Sequence, residues 1–213
     1  MYIWTMSKLK TDTRGKILDK ALEMFNERGI EYVGLRELAA ILDIRVSNIT
    51  YYFPTKDDLV FALSAELARK NSEVIIMVED ITMLEFLQML KKVFYNHVEF
   101  RALLLSFVHT MKQNPLIKEA YKKTQVKRAS AITLNLQVLK SAGYIQSEEE
   151  DLEYLVSAIS LISRFWISEA AVSYKQLSTE QQIRHYLILI TKLLQPYSSA
   201  KAKKEIKIFV EEL

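Results

Sequence analysis

The chain has 213 residues, of which 50% are hydrophobic and 26% are charged, and its formal net charge is +3. This composition supports a folded core and excludes a disordered chain, which would have fewer apolar residues and a larger net charge. Four glycines and three prolines are too few for the frequent turns of a β-sandwich. The absence of cysteine excludes disulfides, thiolate metal sites and cysteine nucleophiles, and it suits the reducing cytoplasm.

Glycine and proline residues divide the chain into segments of helical length, within which apolar residues recur every three or four positions. The first segment carries an apolar stripe from Ile17 to Phe25 and is predicted to end at Gly29, a residue suited to a helix C-terminus. Two short helices are predicted next, over residues 35–42 and 46–53. We therefore expect an all-α fold that begins with a three-helix head.

Pro54 separates these helices from a longer one. Thr55 and Asp58 have the spacing of a capping box, which predicts a helix that begins at Lys56 and continues to about residue 78. The remaining helices, which are expected to form a C-terminal bundle, are predicted at about 82–98, 100–113, 115–142, 150–174, 179–195 and 200–213.

The two short helices are joined by only Asp43, Ile44 and Arg45, and such a turn between helices is typical of a helix-turn-helix. The second short helix is polar and aromatic, which is unusual for a core helix. Hydroxyl and amide side chains on a groove-binding helix reach base edges and phosphates, so this pattern favours DNA recognition. The predicted DNA-facing residues are Arg14, Arg45, Ser47, Asn48, Thr50, Tyr51, Tyr52 and Lys56, and the lysines placed to meet backbone phosphates are Lys8, Lys10, Lys16 and Lys20.

The run from Ile49 to Leu59 joins an aromatic helix end to a Lys-acidic-x-Leu helix start, and it is the most specific part of a pattern that covers residues 12–63. The other matching positions are Arg14, Ile17, Leu18, Ala21, Phe25, Gly29, Leu38, Ala39, Ile44, Ser47 and Asn48. On these residues the chain resembles the tetracycline-repressor (TetR) family of bacterial transcription regulators. The resemblance implies a DNA-binding domain over residues 1–58 and a helical effector-binding and dimerisation domain over 59–213.

The resemblance also implies a function. It describes a ligand-responsive regulator of the repressor type, which binds a palindromic double-stranded DNA operator as a homodimer and is released by a small apolar or amphipathic effector. It implies no cofactor and no enzymatic activity. An activator that uses the same head is an open alternative, and so is a helical-bundle binding protein or enzyme without DNA-binding activity.

Four positions depart from the family pattern. Asp43 stands where the family usually has glycine, and we expect the turn to survive because aspartate tolerates left-handed backbone better than most residues. Arg45 stands where serine usually caps the recognition helix, a loss of about 1 kcal/mol. Thr50 replaces a usual tyrosine and Gly34 a usual threonine, so base contacts do not transfer residue by residue.

The C-terminal part contains aromatic and methionine residues on separate predicted helices. Bundle proteins build mostly apolar ligand sites from facing helices, so these residues are predicted to line an effector pocket, with ordinary core packing as the alternative. The predicted pocket residues are Phe86, Met89, Phe94, Phe107, Met111, Tyr121, Phe165 and Trp166. We find no catalytic or metal-binding pattern, since none of the three histidines follows a glutamate by three positions.

The helix predicted over 150–174 is apolar almost all round, which indicates burial on more than one side. With the helix over 179–195 it resembles the pair that forms the four-helix dimer interface of the TetR family. Arg164, Glu169 and four serines interrupt its apolar stretch, so we do not expect it to span a membrane. The final helix, 200–213, is additional to the family pattern and is expected to dock on the body of its own chain or on a partner.

Overall fold

The structure, a computed structural model, describes the backbone of residues 2–75 and 80–213 and the side chains of residues 13–75 and 80–213. Within these ranges the chain forms helices and no β-strand, which confirms the all-α prediction. The α-helices are α1 (Tyr2–Arg28), α2 (Leu35–Ile41), α3 (Val46–Tyr52), α4 (Lys56–Val74), α5 (Met83–Glu99), α6 (Arg101–Leu105), α7 (Phe107–Gln113), α8 (Pro115–Ser141), α9 (Glu149–Ser173), α10 (Thr179–Leu194) and α11 (Ala200–Glu211). Two short 3-10 helices, Ile30–Tyr32 and Gln195–Tyr197, were not predicted.

The chain divides into two compact units. The head unit comprises Met1–Leu67 and Phe100–Glu119, and the body unit comprises Ala68–Glu99 and Ala120–Leu213. The helix-turn-helix head and the helical C-terminal part are thus present as predicted. The functional boundary at residue 58 stays a prediction.

The head unit has its core where the apolar stripes of α1 to α4 meet. The buried side chains there include Ile17, Ala21, Phe25, Leu38, Ile49, Phe53, Leu59 and Leu63. Gly29 has a φ of 93° and its N–H donates to the Phe25 carbonyl at 2.8 Å, which confirms the predicted end of α1. A side chain is strained at such a φ, so glycine suits this position.

The turn between α2 and α3 takes the conformation expected of the unusual aspartate. Asp43 has a φ of 52°, in the left-handed region, and the following Ile44 N–H donates to the Ala39 carbonyl at 3.0 Å. Arg45 occupies the N-cap of α3 and makes no side-chain capping hydrogen bond. The prediction that the turn survives while the cap is lost is therefore confirmed.

The prediction of one continuous helix over residues 100–113 is wrong. The segment is helical, but it breaks at Ser106 into α6 and α7. The break follows from polar contacts within the head unit. The Asn26 side-chain oxygen accepts from the Ala102 N–H at 3.0 Å, and the Ser106 hydroxyl donates to Glu31 at 3.0 Å. Arg101 also donates to the Asn26 carbonyl at 2.9 Å. These partners hold α6 on the end of α1, at the cost of helical continuity.

The body unit is a bundle in which α5 packs against α9, α10 and α11. Helix α11 docks on its own chain and buries Ala202, Ile206 and Phe209. Glu205 fixes its register, since its carboxylate accepts from the Leu84 N–H at 2.9 Å and from the Tyr144 hydroxyl at 3.1 Å. The structure thus resolves where the additional helix lies.

One helix of the described residues, α9, has the length and the apolar composition that crossing a membrane would require. A core helix meets the same criteria, and α9 buries Leu155, Ile159 and Trp166 inside the body unit. The predicted extension of α4 to residue 78 enters residues 76–79, which lie outside the described part of the chain.

Candidate nucleic-acid interface and effector site

Helix α3 presents a polar and aromatic face to solvent. Its only fully buried side chain is Ile49, and Phe53 immediately after the helix is also buried. Ser47 and Asn48 are exposed, and Tyr51 is 68% exposed although it is a large aromatic residue. A helix anchored by one apolar residue, with hydroxyl, amide and phenol groups outward, is suited to lie in a DNA groove.

The two neighbouring tyrosines of α3 differ in their surroundings. Their rings meet edge to face with centroids 5.0 Å apart, and Tyr52 also lies 6.4 Å from the Phe53 ring. Tyr52 is half-buried, whereas Tyr51 extends outward. Thr50 is half-buried too, and its hydroxyl donates to the Ser47 carbonyl at 3.4 Å. Tyr51 is therefore better placed than Tyr52 or Thr50 to reach a ligand.

Basic groups flank α3 in the head unit. Arg45 is exposed at its N-terminus, and Arg14 of α1 is exposed with its guanidinium carbon 5.3 Å from the centre of the Phe53 ring. The aromatic contact orients this guanidinium beside the recognition helix. The side chains of Lys8 and Lys10, which were expected to meet phosphates, lie outside the described residues.

Lys56 has a structural role that the sequence did not reveal. Its ammonium donates to the carbonyls of Ile30, Glu31 and Val33 at 2.7, 3.2 and 3.2 Å. An ammonium has three donors, so these bonds compete with the predicted phosphate contact. The three partners are 23 to 26 residues away along the chain, which is why residue spacing gave no signal.

The start of α4 is a capping box, as predicted. The Thr55 N–H donates to the Asp58 carboxylate at 2.9 Å, and the Asp58 N–H donates to the Thr55 hydroxyl at 3.2 Å. These reciprocal bonds satisfy two backbone donors that the first turn of a helix leaves without partners. They fix the direction in which the chain leaves α3.

The predicted pocket residues fall into both units. Phe107 and Met111 lie on α7 in the head unit, and the other six lie in the body unit. Phe94 and Trp166 are buried and stack with ring centroids 4.8 Å apart. Their role in ligand binding stays a prediction.

Sequence reasoning missed a shallow groove on α8. It has a volume of about 530 Å³ and is lined by Gln125, Val126, Ala129, Ser130, Thr133 and Leu134. All of its lining residues belong to one helix, and Val126 and Leu134 are exposed. None of the predicted pocket residues lines it.

A polar cluster lies inside the body unit, beside the stacked rings. The Trp166 indole N–H donates to Nδ1 of His97 at 3.2 Å, and Nε2 of the same ring lies 3.4 Å from the Asn71 amide. Burial and, to a smaller extent, the positive charge of Arg128 together lower the pKa of His97 to about 3. The ring is therefore neutral at physiological pH, consistent with an Nδ1 that accepts a hydrogen bond.

Two arginines lie near Tyr121 in the body unit. The Arg164 guanidinium carbon is 5.6 Å from the centre of the Tyr121 ring and 5.8 Å from that of Phe165. Arg128 interacts with the Tyr121 hydroxyl and with the charge of Arg164. Burial has the largest effect and lowers the pKa of the Arg128 guanidinium. The interaction with Tyr121 raises this pKa, whereas the positive charge of Arg164 lowers it. No sequence pattern marked this pair, because the two residues lie on different helices.

Comparison with known proteins matches both parts of the chain. A family model described as a bacterial transcriptional repressor matches residues 65–206, and one described as bacterial regulatory proteins of the tetR family matches residues 17–63. The probable HTH-type transcriptional regulator YttP of Bacillus subtilis (strain 168) is 33% identical over 67 residues, a stretch that covers 32% of this chain and 32% of that protein.

Solved structures share the fold along most of the chain. A TetR-family transcriptional regulator from Marinobacter aquaeolei VT8 has a TM-score of 0.85 at 21% identity and covers 93% of this chain and 97% of its own. A proposed transcriptional regulator from Saccharomonospora viridis, solved in complex with choline, has a TM-score of 0.69 at 15% identity and covers 84% of this chain and 96% of its own.

Proposed function

Because the chain belongs to the TetR family of bacterial transcription regulators, we propose that it binds a palindromic operator as a homodimer and that a small molecule bound by the body unit releases it. The observation that carries this proposal is the outward face of α3. It presents Asn48 and Tyr51 to solvent while Ile49 anchors the helix in the core. Members of this family are transcription factors rather than enzymes, so the alternative of a bundle enzyme is set aside.

The residues that we propose to act in DNA binding are those predicted from the sequence. They divide into residues that contact bases, residues that contact phosphates and residues that support the fold of the head. Asn48, Ser47 and Tyr51 are proposed to read base edges, since amide and hydroxyl groups there are exposed. Arg14 and Arg45 are proposed to contact phosphates, which position the helix without specifying sequence. Thr50, Tyr52 and Lys56 are proposed to act mainly by supporting the fold of the head, because each is half-buried or already bonded.

The proposed partner for the body unit is a second copy of the chain. Helix α9 exposes Tyr154, Leu161 and Val172 at helical spacing, and α10 exposes Leu189. These are the helices that resemble the family's dimer interface. Association would remove this apolar surface from water, at about 25 cal/mol for each Å² buried. A dimer would present two recognition helices at half-sites one or more DNA turns apart, ~34–36 Å per turn.

Release of the operator by an effector requires a difference in affinity between two states. The effector must bind the conformation that cannot span both half-sites more tightly than the one that can. Helix α6 is a suitable element for such a change, because it follows α5 directly in the chain and is hydrogen-bonded to Asn26 at the end of α1. A regulator of this kind would act in the cytoplasm, where its DNA lies.

An electrophoretic mobility shift assay with duplex DNA from the protein's own promoter tests the proposal. We expect binding that weakens by orders of magnitude between about 50 and 200 mM salt, because counterions are released from the phosphates. Arg45→Ala should weaken binding to all duplexes, whereas Lys203→Ala, which removes an exposed charge from α11, should not. Indifference of the purified protein to every duplex would overturn the proposal.

A further inference from the structure

The body unit brings two guanidinium groups together around one phenol ring. Arg128 and Arg164 act on each other electrostatically, and both lie beside Tyr121. The groups that influence the Arg128 charge are Tyr121 and Arg164, and no carboxylate of the described chain is among them. Two cations thus share one phenol.

The surroundings make this arrangement costly in the absence of a ligand. The Arg164 Nε is buried and has no hydrogen-bond partner among the described residues. The Oγ of the neighbouring Ser163 is likewise buried and unbonded within the described chain. A buried donor without a partner destabilises the fold, and a buried cation destabilises it more unless an anion compensates its charge.

Nearby polar groups do not supply the missing anion. Glu169, on the same helix as Arg164, accepts a hydrogen bond from the Tyr186 hydroxyl. His97 is neutral and accepts from Trp166 rather than offering a charge. Next to these groups lie the stacked Phe94 and Trp166 rings, and the Phe165 ring lies against Arg164. An occupant of this region would therefore meet two guanidinium forks and an apolar aromatic surface.

We propose that the effector is an amphipathic anion whose carboxylate or phosphate group is bound by Arg128 and Arg164 and whose apolar part packs on the aromatic side chains beside them. This assignment rests on the proposed function, because it names the chemical class of the effector for the same body unit. Arginine is suited to the role, since its planar fork binds carboxylate and phosphate through paired hydrogen bonds. The oxyanion accepts from the donors that the fold leaves unsatisfied.

Thermal melting and calorimetry of the full-length protein with probes that share a ten-carbon chain test the inference. Decanoate and decyl phosphate carry the anion, decanol is neutral and decyltrimethylammonium is cationic. We expect one or both anions to raise the melting temperature and to bind at least about tenfold more tightly than decanol, with the cation excluded. Which anion binds more tightly distinguishes a carboxylate effector from a phosphate.

Variants with a matched control locate the site. Arg128→Gln and Arg164→Gln should each weaken anion binding at least about tenfold and leave decanol binding unchanged. Lys127→Gln removes the same charge from the exposed neighbour on α8 and should bind anions like the wild type. If a glutamine variant does not fold, the corresponding lysine variant keeps the charge and should bind anions more weakly than arginine does.

Three results would overturn the inference: decanol that binds as well as the anions, arginine variants that bind anions like the wild type, or no binding of either anion. A mobility shift assay without ligand distinguishes failure of the anion-binding inference from failure of the proposed DNA-binding function. Intact operator binding with no anion binding removes only the inference. Arginine-dependent anion binding with no effect on the protein–DNA complex preserves the anion site and removes the release mechanism.

Discussion

Helices α3 and α9 both depart from the usual amphipathic pattern, in opposite directions. Helix α3 anchors itself with Ile49 and turns polar and aromatic groups outward, whereas α9 is apolar on its inner side and also exposes Leu161 and Val172. A polar outer face around a minimal anchor suits DNA, and an apolar outer face suits another protein surface. We therefore propose that each unit binds its partner through the helix face that its own core does not use.

The inner sides of the two units differ as well. The head core is apolar apart from Asn114, whose side-chain oxygen accepts from the Ile117 N–H in the first turn of α8, and the turn residues Asp43 and Thr55 are exposed. The body unit instead buries His97, Asn71 and Asn135 among its apolar residues. Buried polar groups need hydrogen-bond partners, so the body core depends on specific polar contacts as well as on apolar packing. The four predictions that follow test this contrast.

The largest effect is expected from a charge on the outer face of α9. Leu161→Glu should convert the proposed dimer to a monomer and weaken operator binding at least about hundredfold, because two half-sites would no longer be bound together. Light scattering and a mobility shift assay measure both effects. Val126→Glu is the matched control, since Val126 is 66% exposed and Leu161 is 59% exposed but only the latter lies on α9. A Leu161→Glu protein that remains dimeric would contradict the interface.

The next effect concerns the outer face of α3. Asn48→Ala should reduce the preference for operator over unrelated DNA by about 1–3 kcal/mol, because an amide that reads a base edge is lost. Competition binding with operator and scrambled duplexes measures this preference. Arg45→Ala should weaken both duplexes alike, since phosphate contacts carry no sequence information. An unchanged preference in Asn48→Ala would show that α3 is not the recognition helix.

A third prediction concerns the support of the head. Lys56→Met should lower the free energy of unfolding by about 2 kcal/mol, because three backbone carbonyls lose a charged donor. Denaturant unfolding measures the change. Lys20→Met is the control, since Lys20 pairs with Glu23 near the surface and such pairs contribute little. Equal stability of the two variants would mean that the Lys56 ammonium does not stabilise the head and is available to contact a DNA phosphate.

At neutral pH the smallest effect comes from the buried core of the body, and it takes the form of a pH dependence of stability. The pKa of His97 is about 3 when folded and about 6.5 when unfolded, so the unfolded state binds more protons between these values. The stabilisation is therefore complete above about pH 6.5 and is lost as the pH falls toward 3, by up to about 1.4 kcal/mol for each pH unit. His97→Gln should flatten this slope in unfolding experiments, whereas replacing the exposed His109 should not. An unchanged slope would assign the effect to other groups.

Local rules explain what the sequence could predict. The end of α1 at Gly29, the left-handed Asp43 and the capping box of Thr55 and Asp58 each depend on residues within a few positions, so their signals are visible in sequence. The all-helical fold was predictable for the same reason.

What escaped prediction depends on contacts between distant segments. The bonds of Lys56 to the backbone carbonyls of residues 30–33, and the bond of Ser106 to Glu31 at the break between α6 and α7, join residues that are 23 to 75 positions apart. The pairing of Arg128 with Arg164 depends on how α8 and α9 are packed, which periodicity does not determine. The aromatic and methionine residues predicted to line the pocket have only their residue type in common, and residue type does not decide whether a side chain fills a core or contacts a ligand.

Docking of α11 on α5 has a consequence for folding kinetics. The carboxylate of Glu205 bonds to Leu84, which lies 121 residues earlier in the chain, and the side chains of Ile206 and Phe209 complete the same surface. Contacts between segments this far apart form slowly, because a long loop must close before they can be made. The side of α5 that α11 covers therefore stays exposed until this late contact has formed.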